Sequence, residues 1–543
     1  MPRVVIDNQA VEMPEGGTIL DAARKLGMEI PTLCFLEGLK PATSCMVCIV
    51  RLKGTDRMVP SCATLVEDGM EVESETEEVH NVRRTGLELL LSDHVGDCTA
   101  PCQTGCPAHM DIPLMLRQVA TGNLRGAIAT IKQDIALPAI LGRICPEPCE
   151  SGCRRREVDS PAAICQVKRY VADADLASDE PYLPECKPAS GKKVAIVGAG
   201  ATGLSAAWHL AQAGHRCVVF DEHDEPGGSM RYDPQHSGEV ADLPAEVLDA
   251  EIAVIAKLGL TFRLGVKVGG DRALADLQDE FDAVLIATGP VAEGADDVLG
   301  LPVSRGRVQA DARTHKTETE GVFAAGSAVQ PSKLAVRSVA QGKAAAFCID
   351  QHLAGEMVTG PPRTFDFRSG RLDADEIAQL STGAARDARV VAGGGADARL
   401  TDQEAQAEAS RCLHCDCGKQ NDCRLRYYAA MYGAKAGRFR GKRRKLERHL
   451  QHGDVVYEPG KCIMCGLCVQ IATEAGEPLG LTFVGRGFDV RVDVPFDRSI
   501  ADGLTRVARE CVQACPTGAL AFKADRCSQA ASCSACSPPR TND

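Results

Sequence analysis

Cysteine is the residue type with the clearest chemistry in this sequence, because 26 of the 543 residues are Cys and most stand in closely spaced groups. In a reducing compartment such groups indicate metal ligands or redox centres, not disulfides. The first group has the spacing C-x10-C-x2-C-x13-C and no His at zinc-finger spacing. Four soft thiolates predict a 2Fe-2S cluster here, with zinc as the alternative. Its members are Cys34, Cys45, Cys48 and Cys62.

Two cysteine segments follow, DCTAPCQTGC and ICPEPCESGC, and a single Cys lies shortly after them. The members of this second group are Cys98, Cys102, Cys106, Cys145, Cys149, Cys153 and Cys165. A third group could bind a 4Fe-4S cluster or zinc, since His414 and the short spacing also suit zinc. Its members are Cys412, Cys415, Cys417 and Cys423.

The segment KCIMCGLC, with the later ACPTG, has the cysteine order of one half of a two-cluster ferredoxin. Ala472 stands where the fourth Cys of that motif is expected, and the second half lacks its first two cysteines. Both losses remove ligands of the same, second cluster. They therefore predict a single 4Fe-4S cluster in this segment, with Cys511 as a spare thiol. The predicted ligands are Cys462, Cys465, Cys468 and Cys515, and no role is assigned to the tail residues Cys527, Cys533 and Cys536.

About 240 residues almost free of Cys separate the second and third groups. They open with VAIVGAGATGLSAAWHLAQAGHRCVVFDEH, which reads as strand, glycine turn, helix and second strand. Gly198, Gly200 and Gly203 allow the backbone to approach a pyrophosphate closely. Asp221 ends the second strand, 18 residues after Gly203, where an acid can bind a ribose hydroxyl. The pattern predicts a dinucleotide site.

Residues 1 to 97 resemble the N-terminal 2Fe-2S domain of the large iron–sulfur subunit of respiratory complex I and of NAD-linked hydrogenases. The segment GLTFVGRGFDVRV near the C-terminus resembles the same family. That family continues with a His-containing cluster motif, and His94 and Cys98 resemble its beginning. A surface His near a cluster is the alternative for His94.

Residues 93 to 185 resemble the helical cluster domain of the glutamate synthase small subunit and of dihydropyrimidine dehydrogenase. The resemblance implies two 4Fe-4S clusters. Cys98, Cys102 and Cys153 would serve one cluster, with His94 as a candidate fourth ligand. Cys106, Cys145 and Cys149 would serve the other, with Cys165 as the candidate. The alternative is that one cluster has been lost.

The central region resembles the FAD-binding part of the glutamate synthase small subunit, through EPGGSMRY, FDAVLIATG and TEGVFAAGSAV. The resemblance adds further candidate FAD-binding residues. They are Gly227, Gly228, Gly289, Gly326 and Ser327. Ser327 replaces the Asp that the family uses on the flavin side chain. Only 36 residues separate Gly289 from Gly326, too few for the second, NADPH-binding unit of that family. We therefore expect FAD without a nicotinamide site.

The expected fold is multidomain α+β and α/β. The expected domains are a β-grasp 2Fe-2S ferredoxin domain (1–92), a helical 4Fe-4S domain (93–185), a Rossmann-like FAD domain (190–355), a linker (356–404), a ferredoxin-like 4Fe-4S domain (405–525) and a tail (526–543).

The net charge of −13 argues against nucleic-acid binding. The basic segment 435–449 could be a solvated face or a docking patch for an acidic partner. No apolar run is long enough for a membrane span or a signal core, which favours the cytoplasm.

The expected function is electron transfer within an oxidoreductase complex. The chain would carry 2Fe-2S, up to four 4Fe-4S clusters and FAD. It would relay electrons between an NAD(P)H-oxidising partner and a catalytic subunit, such as a formate dehydrogenase or a hydrogenase. One alternative is a self-sufficient NAD(P)H-dependent oxidoreductase of the glutamate synthase small-subunit type, and another is a scaffold that contains structural zinc.

Overall fold

The computed structural model describes residues 1–55, 57–232, 243–291, 300–390 and 399–523. The tail cysteines lie outside these ranges. Within them, no helix is both long enough and apolar enough to span a bilayer.

The strands are β1 (Arg3–Ile6), β2 (Gln9–Glu12), β3 (Ile49–Leu52), β4 (Arg57–Pro60), β5 (Glu71–Glu73), β6 (Lys193–Val197), β7 (Arg216–Phe220), β8 (Thr261–Arg263), β9 (Ala283–Ile286), β10 (Val322–Ala324), β11 (Val455–Tyr457), β12 (Thr482–Val484), β13 (Arg491–Asp493) and β14 (Leu520–Phe522).

The helices are α1 (Ile19–Lys25), α2 (Glu77–Leu91), α3 (Pro101–Gly105), α4 (Ile112–Ala120), α5 (Leu124–Lys132), α6 (Pro138–Ile144), α7 (Pro148–Ser151), α8 (Ile164–Leu176), α9 (Ala201–Gln212), α10 (Ser229–Tyr232), α11 (Ala245–Ala256), α12 (Leu274–Glu280), α13 (Ala335–Leu353), α14 (Ala374–Ser381), α15 (Asp402–Ser410), α16 (Arg424–Met431), α17 (Leu467–Glu474), α18 (Ile500–Gly503) and α19 (Ala508–Ala514).

The chain folds into two compact units that interleave along the sequence. The first unit comprises 1–100, 363–383 and 414–543, and the second comprises 101–362 and 384–413. The second unit therefore interrupts the first. The stretch 356–404, expected as a linker, contains α14 and is divided between the two units.

The N-terminal part of the first unit is a mixed five-stranded sheet in the order β2-β1-β5-β3-β4. Strands β1 and β2 form the predicted hairpin, and β5 lies parallel to β1. Thr18 is the N-cap of helix α1. Its side chain accepts from the Asp21 N–H, and the Asp21 side chain accepts from the Thr18 N–H. Its apolar face packs into the core that surrounds Cys48 and Cys62.

The rest of the first unit is built from short elements around the C-terminal cysteines. Strand β11 pairs with β14, and β12 pairs with β13, both antiparallel. Helices α17 and α19 pack together beside them. The segment 363–383 is tied to residues near Cys98, because Gly96 N–H donates to Ser369 Oγ at 2.6 Å and Ser369 N–H donates to Asp97 at 2.8 Å.

The basic segment 435–449 is largely paired inside the first unit. Arg438 pairs with the buried Glu88 at 2.9 Å. Arg444 pairs with Asp93 at 2.7 Å, and Arg443 pairs with Glu376. The Arg443 guanidinium holds the pKa of Glu376 at about 2. These arginines hold distant parts of the unit together, and the side chains of Arg443 and Arg444 are mostly buried, whereas that of Arg438 is half-exposed.

The second unit combines helices with one parallel sheet. Helices α4, α5 and α8 pack on one another, and α15 returns to pack on α4 and α8. The buried carboxylate of Glu408, on α15, accepts from the Ala163 N–H at 2.7 Å and from Arg411 at 2.6 Å. This contact fixes 384–413 to the helical part.

The parallel sheet has the order β10-β9-β6-β7-β8. Helices α9 and α13 lie against the sheet and pack closely on each other, because Gly342 of α13 leaves room for the Thr202 carbonyl of α9. The Glu251 carboxylate, on α11, accepts from the N–H groups of Ala139 and Ile140 at the start of α6. Burial raises the pKa of Glu251 to about 7. The protein is thus a multidomain α and β chain with a Rossmann-like sheet.

Candidate functional site

The four N-terminal cysteines meet as two pairs. Cys34 lies against Cys45, and Cys48 lies against Cys62, because each pair shares a thiol hydrogen bond. The bond from Cys45 lowers the pKa of Cys34 to about 5, and the bond from Cys62 lowers the pKa of Cys48 to about 7. All four are nearly inaccessible. Two thiol pairs are what two bridged irons need, so this donor set fits a 2Fe-2S cluster.

The four C-terminal ferredoxin-type cysteines line one cavity. Cys462, Cys465, Cys468 and Cys515 surround an empty volume of about 360 Å³, counted to its open mouth. The Met464 N–H points at Cys462 Sγ, 3.4 Å away, because Met464 has a left-handed φ of 54°. Burial raises the pKa of Cys465 to about 12, so the thiolate needs a cation. The set fits a 4Fe-4S cluster.

Cys511 is outside this set. It does not line the cavity, and its Sγ contacts the Cys468 carbonyl oxygen at 3.7 Å. Burial raises its pKa to about 12. It packs among apolar residues on α19, as the sequence predicts for a spare thiol.

Cys98 lies with the later residues Cys417 and Cys423. The Cys417 N–H donates to the Cys98 carbonyl at 3.3 Å, and all three thiols interact electrostatically. Burial raises the pKa of Cys98 to about 11 and that of Cys423 to about 12. This grouping differs from the one that the resemblance implies, Cys98 with Cys102 and Cys153. The N-terminal stretch of the first unit ends at residue 100, and Cys417 and Cys423 belong to the last stretch of the same unit, which begins at 414.

His94 lies beside this group. Its ring packs edge-on against Phe367 at 4.9 Å, and the Phe367 carbonyl accepts from the Cys98 N–H at 3.0 Å. Burial lowers the pKa of His94 to about 3, which keeps the imidazole neutral. A neutral imidazole is the form that ligates metals.

The three cysteine sets of the first unit share one apolar core. Cys34, Cys98 and Cys465 belong to it, and Cys423 packs against it. Cys465 also interacts electrostatically with Cys34, and Cys423 with Cys515. The three cysteine sets are thus connected through one continuous apolar core.

In the second unit, the structure brings Cys106, Cys145, Cys149 and Cys165 together. The thiol of Cys165 donates to Cys145 and lowers its pKa to about 7. Burial raises the pKa of Cys149, whose thiol also interacts with Cys106 and Cys165. Cys165, the candidate fourth ligand, lies near the other three and is one helical turn from Lys168 on α8.

The remaining predicted ligands are placed less closely. Cys102 lies on α3, which packs on α7, and Cys153 follows α7. Cys412 follows α15 in the same unit, whereas Cys415 belongs to the first unit. No group of three or more His, Cys, Asp or Glu side chains within the described ranges is arranged around a single metal ion. An iron–sulfur cluster does not require such an arrangement, because its ligands are distributed over several iron atoms.

The predicted nucleotide-binding residues meet at one edge of the parallel sheet. Gly198, Asp221, Gly289 and Gly326 follow four neighbouring strands, β6, β7, β9 and β10. A Cβ at Gly198 would lie 2.3 Å from the Ala287 oxygen, and one at Gly203 would lie 1.9 Å from the Gly198 oxygen. These turns tolerate only glycine.

The second glycine pair packs against the first turn. A Cβ at Gly228 would lie 2.8 Å from the Gly200 Cα, and the Gly227 N–H donates to the Ala199 carbonyl at 3.0 Å. Asp221 accepts from the Ala199 N–H at 2.7 Å and from the His223 N–H at 3.0 Å. The backbone cradle, with an acid at its side, fits the pyrophosphate and ribose of a dinucleotide.

Gly326 and Ser327 begin a short 3-10 turn after β10. A Cβ at Gly326 would lie 2.3 Å from Thr202 Oγ1, on the first turn of α9. Sequence reasoning did not single out Thr202, Gly342 or Lys168. The periodicity of α8 would have indicated Lys168, since it lies three residues after Cys165.

Three family profiles match parts of the chain. A 2Fe-2S iron–sulfur cluster binding domain matches residues 3–77, and dihydropyrimidine dehydrogenase domain II, with a 4Fe-4S cluster, matches 90–180. An NAD(P)-binding Rossmann-like domain matches 196–252. The chain therefore carries 2Fe-2S and 4Fe-4S domains and a dinucleotide-binding domain, which confirms these parts of the sequence-based prediction.

Curated relatives match over part of their length. The beta subunit of the NADP(+)-dependent formate dehydrogenase of Moorella thermoacetica is 39% identical over 37% of this chain and 31% of its own. The beta subunit of the NADPH-Fe(3+) oxidoreductase of Geobacter sulfurreducens is 35% identical over 38% of this chain and 30% of its own.

The NAD-dependent dihydropyrimidine dehydrogenase subunit PreT of Salmonella typhimurium is 36% identical over 35% of this chain and 45% of its own. The chain thus spans between about a third and a half of the length of these relatives.

A single methyl group at the second glycine pair tests the dinucleotide cradle. We expect Gly228→Ala to reduce flavin bound per chain, because the new Cβ displaces the Gly200 backbone. A strain of about 1–3 kcal/mol would weaken binding by about fivefold to about 150-fold. Flavin and iron are measured in the purified chain. Gly437→Ala, which meets no atom within 4 Å, is the control. Unchanged flavin content in Gly228→Ala would contradict this site.

Proposed function

We propose that this protein is an iron–sulfur flavoprotein subunit of an oxidoreductase, and that it relays electrons between an NAD(P)H-oxidising protein and a catalytic partner. The observation that carries the proposal is the connected set of buried thiols in the first unit, from Cys34 through Cys465 to Cys423. Bound clusters carry single electrons, and a bound flavin exchanges two-electron for one-electron steps. The residues described above hold, orient and desolvate these groups.

We propose three ligand sets for the first unit. Cys34, Cys45, Cys48 and Cys62 would hold the 2Fe-2S cluster of a β-grasp domain, which the strand order of the N-terminal sheet supports. The cavity cysteines would hold a 4Fe-4S cluster. Cys98, Cys417 and Cys423 would hold another, with His94 as fourth ligand.

For the second unit we propose a 4Fe-4S cluster on Cys106, Cys145, Cys149 and Cys165. Cys102, Cys153 and Cys412 of the second unit, and Cys415 of the first, are assigned to no cluster.

FAD is the dinucleotide we propose for the glycine cradle. The phosphate-binding turn alone does not separate FAD from NAD(P), because both carry a pyrophosphate. Support for FAD comes from the second glycine pair at Gly227 and Gly228, which packs on the first glycine turn, and from Gly326 beside Thr202. A nicotinamide nucleotide would then be oxidised by a partner protein.

The proposed partners are protein subunits, which agrees with the subunit names of the matched relatives. Those names include formate dehydrogenase, and a formate dehydrogenase or hydrogenase subunit is our proposal for the catalytic partner. The proposed location is the cytoplasm, because thiols that bind clusters need a reducing compartment.

A second candidate is a self-sufficient NAD(P)H-dependent oxidoreductase. The NAD(P)-binding profile over residues 196–252 favours it, since it covers the glycine turn itself. In that case the cradle would hold the nicotinamide nucleotide directly.

An anaerobic spectral titration of the full chain separates the two candidates. We expect NADH and NADPH to leave the flavin and cluster absorbance unchanged and dithionite to bleach both, because FAD would occupy the glycine cradle that follows β6. The order of addition is NADH, then NADPH, then dithionite. Rapid bleaching by either nucleotide would contradict the relay proposal and favour the self-sufficient enzyme.

Replacing one thiol tests the regrouped ligand set. We expect Cys417→Ser to lose the iron, sulfide and electron paramagnetic resonance (EPR) signal of one cluster, because Cys417 is buried beside Cys98. Flavin content should stay at the wild-type level. Cys511→Ser, another buried thiol of the same unit, should keep all of its iron. Equal iron loss in the two variants, or none in Cys417→Ser, would contradict the assignment.

A further inference from the structure

A buried lysine faces the cysteine set of the second unit. Lys168 is 5% exposed. Its Nζ donates to the Leu141 carbonyl oxygen at 3.1 Å, and Cys165 Sγ contacts the same oxygen at 3.6 Å. The ammonium and the sulfur therefore converge on one atom.

The charge of Lys168 is directed at the thiols rather than at an acid. The pKa of Lys168 is raised, despite its burial, by Cys165, Cys145, Cys149 and Cys106. Among the described residues, no carboxylate forms an ion pair with its ammonium, and its hydrogen bond is to a neutral carbonyl. The negative charges that favour the protonated form of Lys168 are thus those of the cysteine sulfurs.

Two acidic residues stand near the same set. Glu150 accepts from the Cys165 N–H at 3.0 Å and pairs with Arg389 at 2.8 Å, which offsets its charge. Glu147 is half-buried; burial and the neighbouring Glu150 raise its pKa, while the positive charges of Arg389 and Lys168 act in the opposite direction. Neither neutralises Lys168 directly.

Reduction of a cluster with four thiolate ligands adds a negative charge to a group that is already negative. A fixed positive charge nearby stabilises the reduced form more than the oxidised form, and low dielectric strengthens the effect. Charge and hydrogen bonding around the sulfurs are established determinants of cluster potential.

We propose that Lys168 raises the reduction potential of the cluster held by Cys106, Cys145, Cys149 and Cys165, which makes this cluster an electron-accepting site in the second unit. Lys168 does not bind iron; it acts through its charge. The inference rests on the proposed function, because it requires a 4Fe-4S cluster on these four thiols.

The test is an EPR-monitored redox titration of the full chain. The Cys165→Ser variant first shows which EPR signal belongs to this cluster, because it should alter that signal alone. Lys168→Met should then lower the potential of that signal alone. We expect at least a tenfold change in its one-electron equilibrium, which is about 59 mV. Lys168→Arg keeps the charge and should stay near the wild-type value.

The control for a general charge effect is Lys187→Met, which removes a lysine with a 70% exposed side chain from the same unit and should move no potential. Iron and sulfide are measured in every variant. Lys168→Gln is the second neutral variant, and its side chain can still donate to the Leu141 oxygen. If Lys168→Met loses its cluster, the potential is measured in Lys168→Gln instead.

An unchanged potential in a neutral variant with full iron content would overturn the proposal. Loss of the cluster in both neutral variants would also overturn it, because Lys168 would then serve assembly. Failure of the proposed ligand set gives a different result: Cys165→Ser would keep every signal and all of its iron.

Discussion

The burial of cysteine thiols is the constraint on which the rest of this structure depends. A protonated thiol is tolerated in an apolar core as a small hydrophobic group, but a thiolate is not. The pKa values of Cys98, Cys423 and Cys465 are raised to between about 11 and 12 by burial. Thiolates at these positions require positive charge, which iron supplies. Cluster binding must therefore release protons and stabilise the loops that carry the ligands.

This constraint explains why the two units interleave. The first unit closes around Cys98 only when the chain returns with Cys417 and Cys423, more than 300 residues later. The ties that hold the returning segments are polar and buried, such as Asp97 with Ser369 and Glu88 with Arg438. Glu408 has the same role in the second unit, where it fixes α15 to the start of α8. The buried acids thus position the cysteines without touching them.

Local patterns in the sequence predicted the local parts of the fold. The strand, glycine turn and helix around Gly198 fold as expected, because the spacing itself sets close backbone approaches. The cavity around Cys462 and Cys515 also has the expected members, since the ferredoxin pattern is short and its two losses agree. The companion for Cys106, Cys145 and Cys149 was proposed as Cys165, and the geometry of α8 is consistent with it.

Long-range pairing could not be read in the same way. The family resemblance implies one cluster on Cys98, Cys102 and Cys153, whereas the structure assigns Cys98 to the first unit and the other two to the second. Nothing in the local sequence says that a chain will leave a unit at that point. The basic segment 435–449 was equally ambiguous, because its acidic partners, such as Glu88 and Glu376, are distant in sequence.

The account depends most directly on iron and sulfide, rather than zinc, being held by these thiols. The decisive measurement is the iron, acid-labile sulfide and zinc content of the full chain, purified without oxygen. The account predicts iron and sulfide in nearly equal molar amounts, with several of each per chain and little zinc. Several zinc ions per chain with little sulfide would contradict it, because structural zinc binds thiolates without sulfide.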